Sequence, residues 1–416
     1  MKMKDSEVSW VGKIPENWSM VPFKSFLKKK KEILNHWENQ NVLSLTMNGI
    51  IIRDLENPTG KMPATFDGYQ TIDKGNFILC LFDIDVTPRC VGVANDDGVT
   101  SPAYSQYEVK YGVTQYYYYL LLMLDNDKIL LTYSKTLRST LTDEYFGAIK
   151  VPITQDIYEQ KKIADFLDSK IALIDQIIAD TKHSIEELKA YKQSLITETV
   201  TKGLDPNVPM KDSGVEWIGE IPESWKLKRV RYFLKEISEK NHPNEQVLSL
   251  YRDYGVIPKD SRNDNHNVTS SDTSGYKFVD VGNLVINKMK AWQGSLAISN
   301  YQGIISPAYY IYRIIDGGID LRFLHYALRN PAYKQEYMRI SSGLRIGQWD
   351  LNKEEFKKIF YPFPEQEEQQ EIANFLDEKS KQIDKLVLDK QIIIQENESY
   401  KKSLIYEYVT GKKQVN

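Results

Sequence analysis

Side chains of the types that carry most catalysis and metal binding are few in this chain and far apart. Histidines stand at positions 36, 183, 242, 266 and 325, without the spacing of a metal motif. The two cysteines, Cys80 and Cys90, form neither a metal-type cluster nor a disulfide framework. A GxxxxGKS/T phosphate loop, a GxGxxG turn and an HExxH pair are all missing. The sequence therefore predicts a protein without an active site of its own.

One short motif, SPAY, could still do chemistry, and it occurs twice, at Ser101 and at Ser306. It weakly resembles the D/N/S-P-P-Y/F loop of amino-methyltransferases, in which a polar side chain and a prolyl carbonyl hold the target amine. Here the second proline is alanine, and no glycine-rich cofactor loop precedes the motif. A structural turn that leads into a strand is the better interpretation, because a self-sufficient methyltransferase would need the missing cofactor loop.

The chain is a tandem duplication. Residues Asp5–Trp18 recur as Asp212–Trp225, with nine of fourteen positions identical. The tetrapeptide VLSL at Val42 recurs at Val247, and SPAY recurs at nearly the same offset of about 207 residues. A repeat of this length must be recognised before the fold is assigned. Each half is predicted to be one globular domain followed by one long helix.

Two long stretches have helical periodicity and are copies of each other, at 163–203 and 372–412. Positions spaced alternately four and three residues apart are apolar at seven of nine sites in 167–195 and at five of nine in 376–404. An apolar stripe of this kind is typical of a coiled-coil seam. Each helix of roughly 45 residues would be about 65 Å long. We expect the two helices to pair within the chain; the alternative is that both are ordinary core helices.

Each globular half is predicted to be an α/β or α+β domain with a curved sheet. Short β-branched and aromatic runs bounded by turn residues, such as Val42–Leu45, Asn76–Phe82 and Tyr104–Val109, indicate strands. One helix is expected in each half, at Tyr116–Leu124 and at Leu321–Asn330. The predicted boundaries are 1–155 for the first domain, 156–203 for the central helix, 204–364 for the second domain and 365–416 for the C-terminal helix.

Composition favours a soluble, cytoplasmic protein that is not bound to membranes. The 416 residues are 41% hydrophobic, enough for sizeable cores, but the longest apolar run, 116–124, is too short to span a bilayer. The opening MKMKDSEVSW lacks the apolar region of a secretory signal. The net charge is −3, with the acidic surplus on 156–202 and 365–416. Since cationic side chains supply most non-specific affinity for a polyanion, this chain by itself is expected to bind one only weakly.

Several short stretches, taken in their order along the chain, carry a family resemblance. They are the openings SWVGKIPENW and EWIGEIPESW, the segment INKMKAWQGS at Ile286–Ser295, the segment ISPAYYIYR, and the helix starts IADFLD and IANFLD. Together they resemble the specificity subunit of type I restriction and modification enzymes over nearly the whole chain. The resemblance implies two target-recognition domains with two long helices that pack as an intramolecular antiparallel coiled coil, in a pseudo-twofold arrangement.

The resemblance also implies a function. Such a subunit reads an asymmetric bipartite target in double-stranded DNA, with an unread spacer, and has no active site. It directs two adenine methyltransferase subunits to the target, and two motor-nuclease subunits can join. This chain would bind no cofactor, with S-adenosylmethionine, ATP and Mg²⁺ expected on the partner subunits. The alternative is a coiled-coil scaffold that binds partners without DNA, which would not need two diverged copies of a globular domain.

Within this interpretation, the residues that read DNA lie in segments that differ between the halves, Leu81–Gly98 and Lys288–Gly303. Arginine and lysine read guanine, and asparagine and glutamine read adenine. The candidates in these segments are Arg89, Lys288, Lys290 and Gln293, with Trp292 as packing or stacking support. Further candidates are Arg138 and Arg345, which occupy one repeat position in polar loops, and Asn48, Arg53, Arg252 and Arg262, which follow the VLSL strands. For the last four, DNA contact and a solvated loop are equally favoured.

Overall fold

The computed structural model describes residues 2–58, 60, 62–134, 139–252, 254–262, 269–270, 272–345 and 348–415, with only the backbone for residues 344, 345 and 348. The chain divides into two compact units. Unit 1 comprises Met1–Lys182 and Gln391–Asn416, and unit 2 comprises His183–Lys390. Each unit contains one globular domain and segments of both long helices.

Unit 1 contains short strands and a few helices before its long helix begins. The strands are β1 (Met3–Asp5), β2 (Lys13–Pro15), β3 (Ser19–Pro22), β4 (Leu27–Lys30), β5 (Leu43–Thr46), β6 (Gly49–Ile52), β7 (Gln70–Ile72), β8 (Phe77–Leu79), β9 (Val91–Val93), β10 (Gly98–Thr100), β11 (Ser105–Val109) and β12 (Lys150–Ile153). The helices are α1 (Thr114–Asn126), α2 (Ile129–Thr132), α3 (Asp143–Ala148) and α4 (Ile157–Lys202), the last of which continues into unit 2. Residues Phe23–Ser25 form a 3-10 turn.

Unit 2 repeats this order. Its strands are β13 (Met210–Asp212), β14 (Glu220–Pro222), β15 (Lys226–Arg229), β16 (Leu234–Ile237), β17 (Leu248–Tyr251), β18 (Gly255–Pro258), β19 (Lys277–Val279), β20 (Leu284–Asn287), β21 (Leu296–Ile298), β22 (Gly303–Ile305), β23 (Tyr309–Ile314), β24 (Ser341–Arg345), β25 (Gln348–Leu351) and β26 (Phe360–Phe363). Its helices are α5 (Val230–Phe233), α6 (Leu321–Arg329), α7 (Pro331–Arg339), α8 (Lys353–Phe356) and α9 (Gln366–Val409), and 3-10 turns occur at Lys259–Ser261 and Ala291–Gln293.

An antiparallel four-stranded sheet forms the frame of each domain, in the order β4-β11-β8-β9 in unit 1 and β16-β23-β20-β21 in unit 2. The inner strand β8 is fully buried, as its sequence Phe-Ile-Leu predicts. Strand β4 lies at the edge, where Lys28 bonds Glu108 and Lys29 bonds Asp143. Charged side chains on an edge strand discourage pairing with another chain.

The SPAY motif forms a turn in both units, as the sequence predicts. The Tyr104 amide donates to the Ser101 carbonyl at 3.2 Å, and the Tyr309 amide donates to the Ser306 carbonyl at the same distance. Strands β11 and β23 begin at or directly after these turns. The motif therefore starts the second strand of each sheet.

The two long helices form the expected seam. Their lengths are 46 and 44 residues, and every seam position from Leu167 to Leu195 and from Leu376 to Leu404 is buried or half-buried. Two polar seam residues are paired: Lys192 bonds Asp384 at 2.7 Å in unit 2, and Lys401 bonds Asp175 at 2.6 Å in unit 1. Both pairs occupy the same repeat positions. Two of the three seam lysines, Lys192 and Lys401, are therefore stabilised by carboxylates of the opposite helix.

Within each unit the helix segments run antiparallel. In unit 1, Phe166 packs on Tyr408 with ring centroids 4.5 Å apart, while Asp175, further along α4, bonds Lys401, further back on α9. In unit 2, Lys192 bonds Asp384, and the end of α4 at Gly203 lies against Glu368 near the start of α9. The antiparallel coiled coil is confirmed in both units.

A buried glutamine fixes the start of each long helix to its own domain. The side chain of Gln160 donates to the Thr154 carbonyl at 2.8 Å and accepts from the Val113 amide at 2.9 Å. Its repeat copy, Gln369, donates to the Pro364 carbonyl at 3.0 Å and accepts from the Asp320 amide at 2.9 Å. Both residues are at most 2% exposed. Because a buried amide needs such partners, the helix can leave the domain in one direction only.

The aspartate of the FLD motif makes a second, equivalent tie. Tyr119 of α1 donates to Asp168 at 2.5 Å, and Tyr326 of α6 donates to Asp377 at 2.8 Å. The isoleucine, alanine and leucine of IADFLD and IANFLD are at most 3% exposed in both copies. The motif is therefore the surface by which each long helix docks on its domain.

Among the described residues, no helix combines the length and apolar character needed to cross a bilayer.

Candidate nucleic-acid interface

The segments that differ between the two halves lie at one place in the common frame. In each four-stranded sheet a loop connects the last two strands in the sheet order. In unit 1 this loop is formed by residues 80–90, between the inner strand β8 and the edge strand β9. Residues 288–295 form the equivalent loop between β20 and β21. We call these the first and second readout loops. The frame holds both by the same antiparallel pairing, while their sequences are free to diverge.

Arg89 of the first readout loop, predicted to contact a base or a phosphate, forms hydrogen bonds within the protein. Its guanidinium donates to Asp125 at 3.3 Å and to Asn126 at 3.1 Å, and the side chain is only 18% exposed. Arg89 therefore bonds within the protein, and a role in reading a base stays a prediction. The exposed side chains of this loop are instead Asp83, Asp85, Val86 and Pro88.

Asn48 and Arg53 belong to the hairpin that β5 and β6 form in unit 1. Asn48 is exposed in the connecting turn, where its amide donates to the Thr46 hydroxyl at 3.2 Å. Arg53 directly follows β6, is half-buried, and donates its amide to the Val42 carbonyl at 2.8 Å. Asn48 is therefore exposed at the tip of a hairpin, and its contact with a base or a phosphate stays a prediction.

The second readout loop gathers several candidates. Lys288 lies 3.8 Å from Asp350, and Lys290 is exposed at the start of the 3-10 turn. Trp292 packs on Trp349 of β25 with ring centroids 5.1 Å apart and donates its indole N–H to the Met289 carbonyl. The aromatic pair thus packs against the loop within the protein, which is consistent with the packing role proposed for Trp292.

Arg252 and Gln293 come from different segments and meet in space. The Arg252 guanidinium donates to the Gln293 side-chain oxygen at 2.8 Å. Gly294, which follows in the left-handed conformation, lies so close to Lys334 that a Cβ would be 2.8 Å from its Cε. The hydrogen bond uses one guanidinium N–H of Arg252 and the side-chain oxygen of Gln293, so the Gln293 amide donors are not part of it. Side chains paired in this way present several donors in one fixed geometry.

Arg262 makes cation–π contacts with the hairpin formed by β17 and β18, which also carries Arg252. Its guanidinium carbon lies 4.3 Å from the ring centroid of Tyr254 and 5.6 Å from that of Tyr251. Tyr254 is 59% exposed. Exposed arginine–tyrosine stacks of this kind occur both on plain surfaces and where proteins contact nucleic acid. Arg138 and the side chain of Arg345 lie outside the described residues, so their roles stay predictions.

Sequence reasoning missed Arg329 and Trp349. Arg329, the last residue of α6, donates to the Leu296 carbonyl at 3.1 Å and also to the Arg252 carbonyl. It thereby ties the end of the second readout loop to the hairpin that carries Arg252. A helix-terminal arginine and a tryptophan near Arg345 were the available signals, but neither indicates which loop it contacts.

A cleft of about 950 Å³ lies in unit 2 beside this cluster. Five basic side chains line it, against one carboxylate: Lys189, Lys192, Arg252, Arg329, Lys334 and Asp384. The positions in unit 1 that correspond to Arg329 and Lys334 carry Leu122 and Asp127. Two of the five basic positions thus lack a basic residue in the other copy of the repeat, and phosphate groups are ligands that a basic lining favours.

His325 lines the same cleft and gives unit 2 a dependence on pH. Burial, assisted by nearby Arg329, lowers the pKa of His325 from 6.5 to about 4. The unfolded chain therefore binds a proton between pH 6.5 and 4 that the folded unit does not bind. The free energy of unfolding is expected to fall by about 2 to 3 kcal/mol between pH 7 and 4.5 through this residue alone. Urea denaturation at the two pH values measures the loss.

The variant His325→Gln is expected to lose less stability on acidification than the unmodified chain, by that amount. His183→Gln is the matched control, because the side chain of His183 is 77% exposed on α4 in the same unit. Comparing the variants cancels the contribution of carboxylates that titrate in the same range. An equal loss of stability in the unmodified chain and in His325→Gln would contradict the assignment.

Known proteins share both the sequence and the fold. Residues 222–394 match the model of the type I restriction modification DNA specificity domain. The chain is 25% identical to the specificity subunit named for the type I restriction enzyme MjaX of Methanocaldococcus jannaschii. That match covers 97% of this chain and 95% of the relative.

Two solved structures have the same architecture. The HsdS subunit from Thermoanaerobacter tengcongensis superposes with a TM-score of 0.55 at 15% identity, over 96% of this chain and 98% of that one. A chain from a study of complex assembly and conformational transition of the type I R-M system superposes with a TM-score of 0.69 at 14% identity, over 95% and 98%. The predicted fold class is confirmed. The chain is therefore similar to specificity subunits of type I restriction and modification enzymes, in the sequence of residues 222–394 and in its fold over nearly the whole chain.

Proposed function

We propose that this chain reads an asymmetric bipartite target in double-stranded DNA, one half-site with each unit, across a spacer that it does not read. The observation that supports this most directly is the common sheet frame with two different readout loops. Two copies of one frame give each half-site the same approach to DNA. Because base contacts specify and phosphate contacts position, unlike loops imply unlike half-sites.

The chemistry of the loops supports the asymmetry. The first loop exposes two carboxylates and Val86, groups that can accept from the amino group of cytosine or contact the methyl group of thymine. The second presents Lys290 and the Arg252–Gln293 pair, which suit acceptors on guanine and the adenine edge. The basic cleft adds a place for backbone phosphates in unit 2.

Methyltransferase subunits are the proposed partners, and the long helices are the proposed docking surface. The study title of one structural relative refers to complex assembly of the type I R-M system. In this chain Leu173 and Leu388 are more than half exposed on α4 and α9, and Ile177 is 40% exposed. Exposed apolar side chains on a helix are typical of protein contact sites. The catalysis, S-adenosylmethionine, ATP and Mg²⁺ would belong to partner subunits, including a motor nuclease where one joins.

The test is to produce the chain together with its methyltransferase subunit and to map methylated adenines in genomic DNA. We expect one motif with two different half-sites at a fixed separation. A single continuous motif, or methylation without a motif, would contradict the bipartite proposal.

Gel shifts separate this function from a coiled-coil scaffold that binds no DNA. The chain with the methyltransferase subunit should bind a duplex that carries the mapped motif, and a scrambled duplex more weakly. The chain alone should bind either duplex weakly, since its net charge of −3 offers few released counterions. Binding that depends on the methyltransferase but ignores the motif would favour the scaffold.

A further inference from the structure

The first readout loop has an exposed tip on a tightly held base. Asp83, Asp85 and Val86 are exposed, and Val86 keeps 73% of its surface open. Below the tip, Ile84 is fully buried, and the Cys80 amide donates to the Cys90 carbonyl at 2.8 Å to close the loop. The strands that flank the loop contribute no further ladder bonds between residues 81 and 89. Other groups must therefore fix the shape of the loop.

The backbone of residues 139–141 supplies two of them: the Ile84 amide donates to the Ser139 carbonyl at 3.3 Å, and the Leu141 amide donates to the Leu81 carbonyl at 2.8 Å. The side chains that hold the loop are those of Asp125, near the end of α1, and Lys128, just after it. The carboxylate of Asp125 is 2% exposed and accepts from the Cys90 amide at 3.0 Å and from the Arg89 guanidinium at 3.3 Å. The ammonium group of Lys128 lies 3.6 Å from the same carboxylate and donates to the carbonyls of Thr87, at 2.6 Å, and Ile84, at 3.3 Å. One acidic side chain, Asp125, and one basic side chain, Lys128, thus hold the backbone of the loop and its Arg89 side chain.

Local helix energetics do not explain Asp125. A carboxylate near the C-terminus of a helix opposes the helix dipole, and burying it costs further free energy unless partners compensate. Its compensating partners are the loop amide and the loop arginine. Since removal of one partner leaves the other buried charge uncompensated, the arrangement strongly favours a single loop conformation.

In the second unit a basic residue near the end of the equivalent helix makes the corresponding contact. Arg329 ends α6, the helix equivalent to α1, and donates to the carbonyl of Leu296, the first residue of β21, directly after the second readout loop. A helix terminus thus reaches the readout loop in both copies, through an acceptor in one and a donor in the other. The recurrence of the contact without recurrence of the residue indicates that the contact itself is required.

We propose that Asp125 is a positioning residue for the first half-site, which together with Arg89 and Lys128 fixes the loop so that its tip, residues 83–86, meets base edges in one geometry. This inference rests on the proposed function. A preorganised loop loses less conformational entropy on binding and presents its acceptors to one base arrangement. Arg89 then acts through the loop and does not itself contact a base.

The experiment compares three variants of the full chain, each produced with the methyltransferase subunit: Asp125→Asn, Lys128→Met and Lys128→Arg. Genomic methylation is mapped, and selectivity is scored at each base of both half-sites. Asp125→Asn and Lys128→Met are expected to lower selectivity at the first half-site about tenfold while the second half-site stays unchanged. Lys128→Arg, which keeps the charge and donors, should retain the unmodified selectivity. Asp127→Asn is the matched control, because it makes the same change two residues away.

A purely structural role predicts a different result, an equal loss of methylation at all bases of both half-sites. That result, or unchanged selectivity in a folded Asp125→Asn, overturns the inference. Should Asp125→Asn fail to fold, Lys128→Met decides, because its side chain is 35% exposed and tolerates replacement. If the unmodified chain directs methylation to no defined motif, the proposed function itself fails together with this inference; a defined motif that Lys128→Met leaves intact overturns the inference alone.

Discussion

Lengthening both long helices by seven residues is expected to move methylation to targets with a longer spacer, by up to about three base pairs, and to abolish it at the original spacing. Seven residues add about 10 Å of helix, and base pairs are stacked about 3.4 Å apart. Helix α4 contributes residues to both units, as does α9. The insertions belong at Asp180–Glu187 and at the repeat-equivalent Asp389–Glu396, where a heptad preserves the seam. Mapping of methylated adenines gives the spacer directly.

The control for this experiment inserts the same seven residues into the loop 204–208, between α4 and β13. That change lengthens the chain without lengthening either helix, so the spacer should stay as it was. A spacer that does not change when both helices are extended would show that the helices do not set it. The bipartite motif itself would then still stand.

Replacing Leu376 by alanine is expected to lower the free energy of unfolding by about 2 to 5 kcal/mol. Leu376 is fully buried and belongs to the same core as Trp225, Phe323 and Phe363 of the second domain. The substitution removes apolar contact at the surface where α9 docks, and a rigid core leaves most of the resulting cavity unfilled. Urea denaturation, followed by tryptophan fluorescence, measures the difference.

Leu388→Ala is the matched control for Leu376→Ala, twelve residues further along the same helix in the same unit. Leu388 is 55% exposed, so its replacement should change stability by about 0.5 kcal/mol or less. The same control also tests partner docking, because it should weaken assembly with the methyltransferase subunit if the exposed helix face is used. Equal destabilisation by both substitutions would contradict the docking role given to the FLD motif.

Structural elements with a repeated sequence signal can be predicted from this sequence. Helix α4 begins and ends within one residue of its predicted limits, and α9 begins within one residue but ends at Val409, seven residues before the predicted limit, since every third or fourth residue carries the same information along the seam. Helices α1 and α6 and the SPAY turns also follow from local sequence, whereas the shorter helices α2, α3, α5 and α8, and helix α7 after Pro331, were not predicted. The readout loops could be located only as the segments where two copies of one frame differ.

Individual site residues were harder to predict, because a charged side chain can be satisfied by the protein or by a ligand and the sequence is the same in either case. The sequence predicts Arg89 as a base or phosphate contact, and in the structure its guanidinium bonds Asp125, 36 positions later. Arg252 and Gln293 are 41 positions apart and nevertheless share a hydrogen bond. Such pairs depend on strand order and register, which short strands do not encode in their own composition.

The sequence by itself determined the duplication, the two long helices and their apolar seam, because periodicity and internal repetition are local properties that survive divergence. Tertiary structure alone decided which polar residues are used internally: Lys192 and Lys401 are paired across the seam, Gln160 and Gln369 anchor the helices, and Asp125 holds a loop. The physical reason is that a buried charge or amide is stable only beside a complementary group, and the fold determines which distant residue supplies it.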